Sequence, residues 1–272
     1  MQHLTLVGIG TGNPDHLTRQ AVLALNTADL ILIPRKGDTK ADLADLRRAI
    51  CADVVTNPAP AITAFDLPTR NEDIPGYTAR VEDWHDRIAL VWSATIAAHP
   101  GPTAHVALMV WGDPSLYDST LRIAARLTPA PQVHVIPGIT ALQALTAAHA
   151  IPLNALAGPV TITTGRRLRD HGWPPDTTRL AVMLDGACAF QTLDPLGTTI
   201  WWGANLGLPD QTLDHGQLAQ ATPRILQTRA DLRARHGWVM DIYLLARDHP
   251  EDATAQARQT ARRAQDRGGH RP

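Results

Sequence analysis

The chain has 272 residues, of which 44% are hydrophobic and 19% charged, so its composition is that of a globular protein and excludes a disordered chain or a fibre. Its length exceeds that of a typical single domain, and we expect two. The formal net charge of -1 gives no positive field for a phosphate backbone, so we expect no nucleic-acid partner.

The first half of the chain alternates short apolar runs with helical patterns. The apolar runs lie at 4–9, 30–34, 104–110 and 132–136, and the helical patterns at 17–28, 41–50, 77–96 and 118–127. The proline-rich stretch 52–75 has no clear period and predicts an irregular connection. Strands that alternate with helices predict a parallel sheet covered on both faces.

The pattern changes after Gly138. A helix at 140–149 leads into four strand-like runs at 160–164, 179–184, 198–202 and 238–246. Their connections are rich in turn residues, among them Asp214-His215-Gly216, which favours a mixed sheet with hairpins. We therefore predict an α/β protein with two αβα domains, 1–139 with a mainly parallel sheet and 140–248 with a mixed sheet. A flexible or helical tail over 249–272 would follow.

Several other classes of protein are disfavoured. The first residues lack the basic start and cleavage site of a signal peptide, and no run of about 18 apolar residues could span a bilayer, so we expect a cytoplasmic protein with no membrane partner. Cys51 and Cys188 form no CxxC unit and are predicted to be buried free thiols. The twelve histidines show no ligand spacing, so we predict no metal.

Three loops that each follow a predicted strand are candidates for a ligand site, because open α/β sheets bind ligands at the carboxyl ends of their strands. The first, 8–18, is rich in glycine, which allows backbone to approach a ligand, and Thr18 can cap the next helix. It is similar to a dinucleotide fingerprint, but Asn13 replaces the last glycine and Pro34-Arg35-Lys36 stands where the acidic ribose ligand would be. An NADP oxidoreductase is therefore a weak alternative.

The second and third loops are ambiguous when each is taken alone. In loop 111–120, Asp113 can bind the ammonium or ribose hydroxyls of a ligand, or it can cap a helix that has Pro114 at its first position. In loop 136–142, small residues open a helix whose free backbone donors can bind a ribose or carboxylate. A tight strand-to-helix turn is the structural alternative there.

Taken together, in this order and at these separations, the three loops resemble the tetrapyrrole methylase family of S-adenosylmethionine-dependent enzymes. The segments LMVWGDPSLYDSTLRIAA, VIPGITALQAL, VTITTGRRL, MLDGACAF and WWGANLGLPDQTL are similar to those of its deacetylating members, over roughly residues 4–246. The resemblance implies two unlike αβα domains with a cofactor cleft between them, and a homodimer. The implied activity is methylation of precorrin-5 on ring A with hydrolytic loss of acetate, giving precorrin-6A and S-adenosylhomocysteine.

The resemblance also assigns cofactor contacts by motif. In the first domain these are Gly10, Thr11, Trp111, Gly112, Asp113, Leu116, Thr140 and Ala141; in the second they are Leu184, Asn205 and Leu206. Thr11 and Asn13 stand where the family usually has Pro and Asp. This departure affects the fine geometry of the first loop and not the fold.

The chemistry implied by the resemblance makes different demands in its two steps. Methyl transfer from a sulfonium depends on positioning and needs no metal or covalent intermediate. Deacetylation needs an activated water, for which Asp113 and Asp185 are candidate catalytic residues, with a helix cap and a turn acid as the structural alternatives. A carboxylate-rich ring should bind cations, and those that follow strand ends are Arg35, Lys36, Arg166 and Arg167.

Two further alternatives stay open at this level. One is a methyltransferase of the same fold that acts on another precorrin or on a macromolecule, although the near-neutral charge argues against RNA. The other is a non-catalytic protein that binds a tetrapyrrole. Affinity for the methyl donor separates an enzyme from such a binding protein.

Overall fold

A computed structural model describes residues 1–35, 41–56 and 60–247. Contacts divide the chain into two units: Met1–Ala144 with Gly207–Pro209, and Leu145–Leu206 with the residues from Asp210 onward. The division falls inside a helix, somewhat after the boundary predicted near 139. The predicted tail over 249–272 lies outside the described residues.

The first unit is built on a five-stranded sheet. Its strands are β1 (His3–Gly8), β2 (Leu30–Arg35), β3 (Ala61–Asp66), β4 (His105–Val110) and β5 (Gln132–Ile136), in the order β3-β2-β4-β1-β5. All neighbouring pairs are parallel. The helices between them are α1 (Arg19–Thr27), α2 (Ala41–Val54), α3 (Tyr77–Ala97) and α4 (Thr120–Ala124). A parallel sheet was predicted and is confirmed.

Apolar side chains on both faces of this sheet bury two separate cores. On one face, Leu4 and Leu6 of β1 pack in a cluster with Trp92 of α3 and Ile123 of α4. On the other, β1 and β2 pack with α1 and α2 through residues such as Leu25. Each fully buried large apolar side chain contributes about 1.5–3 kcal/mol, so packing against the two helical layers fixes the sheet and its strand ends.

Strand β3 corrects the prediction of an irregular connection over 52–75. Residues Ala61–Asp66 pair with β2 in parallel register, Leu30 opposite Ala61 and Arg35 opposite Asp66. The strand lies at the edge of the sheet, where one side needs no partner, and prolines are tolerated around such edge strands. Proline content therefore hid a short strand here.

The second unit has a mixed sheet, as predicted. Helix α5 (Ala141–His149) leads into β6 (Thr161–Thr164), α6 (Gly165–His171), β7 (Arg179–Met183), β8 (Thr198–Ala204), β9 (Thr212–Gln217), α7 (Leu218–His236) and β10 (Asp241–Arg247). The strand order is β6-β7-β10-β8-β9. Only the β6–β7 pair is parallel, and the other three are antiparallel. Trp202, Phe190 and Tyr243 fill the core that α6 and α7 cover.

Asp214-His215-Gly216 was predicted to be a turn, and this is wrong. The three residues lie inside β9, opposite Trp202, Trp201 and Ile200 of β8. Polar residues are compatible with a strand here because β9 is the sheet edge, and the Asp214 carboxylate binds the guanidinium of Arg224 on α7 at 2.6 Å. Helices α6 and α7 were not predicted either.

The two cysteines are buried free thiols, as expected. Burial raises the pKa of both Cys51 and Cys188 to about 11. Within the described residues no three His, Cys, Asp or Glu side chains come together as a set of metal ligands. The described helices include none with the length and apolar character needed to cross a bilayer.

Candidate functional site

The three loops singled out in the sequence lie side by side in the first unit. Strands β4, β1 and β5 are adjacent and parallel, so their carboxyl ends share one edge of the sheet. Residues 9–18, 111–119 and 137–140 leave from these three ends. This is the edge where open α/β sheets bind ligands.

Backbone hydrogen bonds tie the first loop to the second. Gly112 N donates to Gly10 O at 2.8 Å, and Gly10 N donates to Gly112 O at 3.2 Å. Both glycines have positive φ, 65° and 68°, a conformation that other residues adopt at a cost. The two predicted cofactor residues Gly10 and Gly112 therefore hold the loops in contact through their backbones.

Asp113 ties the second loop to the third. Its Oδ2 accepts a hydrogen bond from Gly138 N at 2.9 Å, and its Oδ1 accepts from Ser115 N at 2.8 Å and from the Ser115 hydroxyl. Burial by itself would raise the pKa of Asp113, but these hydrogen bonds outweigh it and hold the pKa below its usual value. Helix α4 begins only at Thr120, so Asp113 does not cap it.

Three glycines pack closely where the loops meet, and open space remains on one side of them. A Cβ on Gly8 would lie 2.6 Å from Gly138 N and 2.9 Å from Gly112 O, and one on Gly138 would overlap Gly112 O. A Cβ on Gly112 would meet no atom within 4 Å. The three backbones thus touch one another, and Gly112 borders open space.

The first loop contains a side-chain pair that the sequence analysis did not identify. Thr11 Oγ1 and His16 Nδ1 share a hydrogen bond of 2.8 Å. Gly207 packs over the pair, and a Cβ there would overlap Thr11 Oγ1 and lie 2.9 Å from His16 Cε1. A histidine inside a glycine-rich loop, five residues after a hydroxyl side chain, was the available signal.

The indole of Trp111 packs against the backbone of the first loop. A Cβ on Gly12 would lie 2.6 Å from the Trp111 ring and 2.7 Å from Leu46 Cδ2, so the indole and the loop backbone are in contact. The Arg47 guanidinium lies 5.7 Å from the indole ring centroid, and its Nε donates to Met109 O at 3.3 Å. Burial lowers the pKa of Arg47 to about 10, against the attraction of Asp118. Arg47 was not predicted from the sequence.

The other residues of the first unit that were predicted to bind the cofactor lie at the starts of helical turns. Thr140 Oγ1 accepts from Leu142 N at 3.1 Å and also bonds Gln143 Oε1, so this hydroxyl orders the first turn of α5. Leu116 N donates to Asp113 O at 3.2 Å. Both Leu116 and Ala141 are half-buried. The third loop is therefore a tight strand-to-helix turn whose backbone remains near the other two loops.

The predicted second-unit residues also gather at one edge of their sheet. Strands β6, β7 and β8 run in the same direction, and Arg166, Leu184 and Asn205 follow their carboxyl ends. Leu184 is 67% exposed, with a φ of 53°. Such backbone strain in an exposed apolar residue is typical of functional loops.

Asn205 and Leu206 lie deeper than Leu184. Asn205 is buried, and its Nδ2 donates to Asp210 Oδ2 at 2.6 Å. Leu206 packs beside Gly203, where a Cβ would lie 2.7 Å from its Cδ2. Among the three, Leu184 offers the largest accessible side chain.

Asp185 is buried, with 6% of its surface exposed. Its Oδ2 accepts from Tyr243 Oη at 2.6 Å and from Ala189 N at 2.5 Å, and its Oδ1 accepts from Ala187 N at 3.1 Å. A Cβ on Gly165 would overlap the carboxyl group. These contacts correspond to the structural alternative, a turn acid that fixes the chain after β7.

The predicted substrate-binding cations have different surroundings. Arg35 Nη2 lies 2.8 Å from Asp66 Oδ2, and both side chains are substantially exposed. Arg166 and Arg167 are exposed in the first turn of α6, and Thr164 Oγ1 accepts from Arg167 N at 3.4 Å. Lys36 lies outside the described residues.

Comparisons with known proteins agree with this architecture. The family model of the tetrapyrrole (corrin/porphyrin) methylases matches residues 3–222. A Sinorhizobium protein named precorrin-6A synthase [deacetylating] is 47% identical over 249 residues, which cover 90% of this chain and 95% of that protein. A second Sinorhizobium protein, precorrin-2 C(20)-methyltransferase, is 32% identical over 61% of this chain and 69% of its own.

Solved structures show the same relationship. The structure of a cobalamin-synthesis-related protein from Corynebacterium diphtheriae is 38% identical, with a TM-score of 0.76 over 91% of this chain and 99% of that one. A uroporphyrin-III C-methyltransferase from Thermus thermophilus, solved with S-adenosylhomocysteine, shares the fold at 19% identity, with a TM-score of 0.55 over 90% of this chain and 97% of that one. The chain belongs to the tetrapyrrole (corrin/porphyrin) methylase family and is an S-adenosylmethionine-dependent methyltransferase.

Proposed function

We propose that this protein is the C-methyltransferase of cobalamin biosynthesis that methylates precorrin-5 on ring A and releases acetate by hydrolysis, giving precorrin-6A. The observation that carries the proposal is the 47% identity to a deacetylating precorrin-6A synthase over 95% of that protein. The three joined loops of the first unit support the methyl-transfer part, because they provide one fixed ligand edge.

The residues at this edge fit S-adenosylmethionine. Open space borders Gly112, where any side chain would project into it, and the loop backbones offer donors and acceptors for an amino acid or a ribose. The proposed first-unit contacts are therefore the predicted set around Gly10, Gly112 and Thr140, with Trp111 acting through its support of the first loop. Leu184 and the chain at Asn205 and Leu206 are the proposed second-unit contacts.

The protein contributes to methyl transfer chiefly by positioning. The bound donor supplies an electrophilic methyl group on a sulfonium. Holding two reactants in line contributes up to about 7–11 kcal/mol to lowering the barrier. Asp113 keeps the second and third loops at a fixed separation through Gly138, and the Gly10–Gly112 bonds fix the first loop. These hydrogen bonds would hold the three loops in place around the bound donor.

The substrate carries many carboxylates, and arginine binds carboxylates with paired hydrogen bonds. We propose Arg166 and Arg167, exposed at the strand edge of the second unit, as contacts for these groups, with Arg35 and Lys36 as further cations. Arg35 would have to exchange its exposed pairing with Asp66, and an exposed ion pair stabilises a protein by only about 0–1 kcal/mol. Breaking the Arg35–Asp66 ion pair therefore costs little free energy.

We further propose that the protein is a cytoplasmic homodimer that binds neither nucleic acid nor membranes. The support is the net charge of -1 and the assembly that the family resemblance implies. Light scattering after size exclusion measures the mass directly. A monomer at working concentrations would contradict the dimer.

The experiment that tests the function combines binding and turnover. Calorimetry with S-adenosylhomocysteine should show one site per chain. Incubation with precorrin-5 and the methyl donor should yield equal amounts of methylated product and acetate, measured by mass spectrometry and enzymatic acetate assay. Methylated product that retains its acetyl group would reject the deacetylating assignment while leaving a methyltransferase. Ring binding without donor affinity would instead favour a carrier protein.

A further inference from the structure

His16 occupies a central place at the ligand edge of the first unit. It lies in the loop that follows β1, between the neighbouring loops after β4 and β5. A Cβ on Gly10 would lie 3.2 Å from His16 Cβ and 3.5 Å from Ile139 O, so His16 packs beside the third loop. The residue is half-buried.

Thr11 fixes the orientation of the imidazole. The 2.8 Å bond joins Thr11 Oγ1 to Nδ1, and a hydroxyl can act as donor or acceptor in such a bond. When Nδ1 carries the proton and donates it to Thr11, the lone pair lies on Nε2. Among the described residues Nε2 has no hydrogen-bond partner. In this tautomer one ring nitrogen is anchored and the other is available for proton transfer, the arrangement required of a general base.

The two carboxylates that were suggested for this role from the sequence, Asp113 and Asp185, already accept hydrogen bonds that stabilise the structure. Both oxygens of Asp113 accept hydrogen bonds that hold loops together. Asp185 is buried and accepts from Tyr243 and two backbone amides. Protonating either carboxylate would weaken these bonds, because hydrogen bonds to a charged acceptor are the stronger ones. Of the three side chains, only His16 combines an anchored orientation with a free proton-accepting atom.

We propose that His16 is the general base that activates water for deacetylation, and that Thr11 is its positioning residue. This role rests on the proposed function, because it requires that acetate is released.

The step balances without any further reactant. Nε2 of His16 takes a proton from water as the water oxygen bonds to the acetyl carbonyl carbon. The bond between that carbon and the macrocycle then breaks, acetic acid leaves, and the electron pair stays on the macrocycle carbon, which forms its new bond to the transferred methyl group. Acetic acid and imidazolium each lose a proton to solvent. The sum is one water consumed, and one acetate and two protons released per methyl transferred.

The test uses His16→Ala and His16→Gln in the full chain, with His134→Ala, an exposed residue of β5, as the matched control. Acetate release from precorrin-5 is measured in single turnover, together with the affinity for S-adenosylhomocysteine. We expect both His16 variants to release acetate about 100-fold or more slowly, since general-base catalysis contributes about 10²–10⁴ in rate. Their affinity should stay within about twofold of wild type, and His134→Ala should match wild type in both measurements.

Rescue by added imidazole distinguishes a catalytic role of His16 from a structural one. Removing the ring in His16→Ala leaves space beside Gly10 and Gly207, so added imidazole should restore acetate release at least about tenfold. It should do nothing for His16→Gln, whose amide fills the space. Thr11→Ser, which keeps the hydroxyl, should keep the rate within about threefold, whereas Thr11→Val should lower kcat about tenfold.

The outcomes distinguish this role from the function on which it rests. Wild-type protein that releases acetate, with His16→Ala equally fast, overturns the role of His16 alone. Loss of activity in His16→Ala without imidazole rescue, accompanied by loss of cofactor affinity, makes the residue structural and also overturns the role. Wild-type protein that releases no acetate from precorrin-5 overturns the deacetylating function itself, and the role of His16 with it.

Discussion

The carboxylate of Asp113 accepts a hydrogen bond from the backbone amide of Gly138 across 2.9 Å, between residues 25 positions apart in the chain. One side chain at the end of β4 thereby fixes the turn that follows β5. The hydrogen bonds of Ser115 to the other carboxylate oxygen hold Asp113 in this orientation. The geometry of the ligand edge depends on this connection.

Replacing Asp113 by Asn should weaken cofactor binding. The amide offers a single, uncharged acceptor, so it cannot serve Gly138 and Ser115 as the carboxylate does, and hydrogen bonds to charged groups contribute about 1.5–3 kcal/mol each. We expect the affinity for S-adenosylhomocysteine to fall about tenfold by calorimetry. Ser115→Ala, which leaves the Gly138 bond in place, should lose less than about threefold. Equal losses in the two variants would contradict the connecting role.

The same carboxylate gives a pH signature. The folded pKa of Asp113 lies below its ordinary value, so its contribution to stability is fully present above about pH 4, the unfolded value, and is lost as the pH falls through the folded value. The difference in unfolding free energy between wild type and Asp113→Asn should be constant from pH 8 to pH 5. It should shrink below about pH 4 in urea titrations followed by circular dichroism, and a difference that grows there would contradict the sign.

Gly138→Ala should abolish cofactor binding. The new Cβ would overlap Gly112 O and lie 2.9 Å from Gly8 C, so the three loops would have to separate. We expect at least about a 100-fold loss of affinity, equivalent to about 2.7 kcal/mol. Gly76→Ala is the control, because Gly76 lies outside the three loops and has no atom within 4 Å of the Cβ position; unlike Gly138, it has a positive φ, 82°. It should cost about 1–2 kcal/mol of stability and leave binding unchanged.

The buried network of the second unit should govern stability. Tyr243→Phe removes one donor to Asp185 and should cost about 1–3 kcal/mol in the free energy of unfolding. Arg229→Met should cost more, about 3–5 kcal/mol, because it leaves the buried carboxylate of Asp241, now 2.9 Å from Arg229 Nε, without its cation. Chemical denaturation measures both changes. A smaller loss for Arg229→Met than for Tyr243→Phe would show that the ion pair is not the stronger element.

His85 should make the first unit sensitive to mild acid. It is 2% exposed, and neither ring nitrogen has a hydrogen-bond partner among the described residues. Burial lowers its pKa, with help from Arg122 and Arg70 and against the attraction of Asp86 and Asp118. The unfolded chain therefore binds a proton at a higher pH than the folded chain, and stability falls as the pH drops below about 6.5.

His85→Leu removes this titration and tests it. The difference in melting temperature between variant and wild type should increase in favour of the variant as the pH falls from 7.5 to 5.5. Leucine also removes two unpartnered buried nitrogens, which raises the melting temperature of the variant by an amount that does not depend on pH. A difference that is flat across this range would show that His85 takes no part in the pH dependence.

Much of the fold was predictable because strong apolar periodicity marks buried elements. The buried strands at 4–9 and 104–110 and the long helix from Tyr77 were placed correctly from that signal, and the exposed edge strand at 132–136 was placed from its apolar residues. The two strands that were missed also end their sheets: β3 lies between prolines, and β9 carries polar residues. Their local sequences therefore did not indicate strands.

Some features of the candidate site could be predicted from the sequence, and others could not. The amino-acid sequence by itself determined which loops carry glycine and acid at strand ends, because those residue types reflect local backbone demands. The resemblance of these loops to those of the tetrapyrrole methylases indicated the family and the methyl donor. Only the tertiary structure decided that Asp113 bonds Gly138, that Asp185 is enclosed by Tyr243, and that His16 is oriented by Thr11. The first two facts are set when strands distant in sequence become neighbours in the sheet, and the third depends on how the loop after β1 folds back on itself.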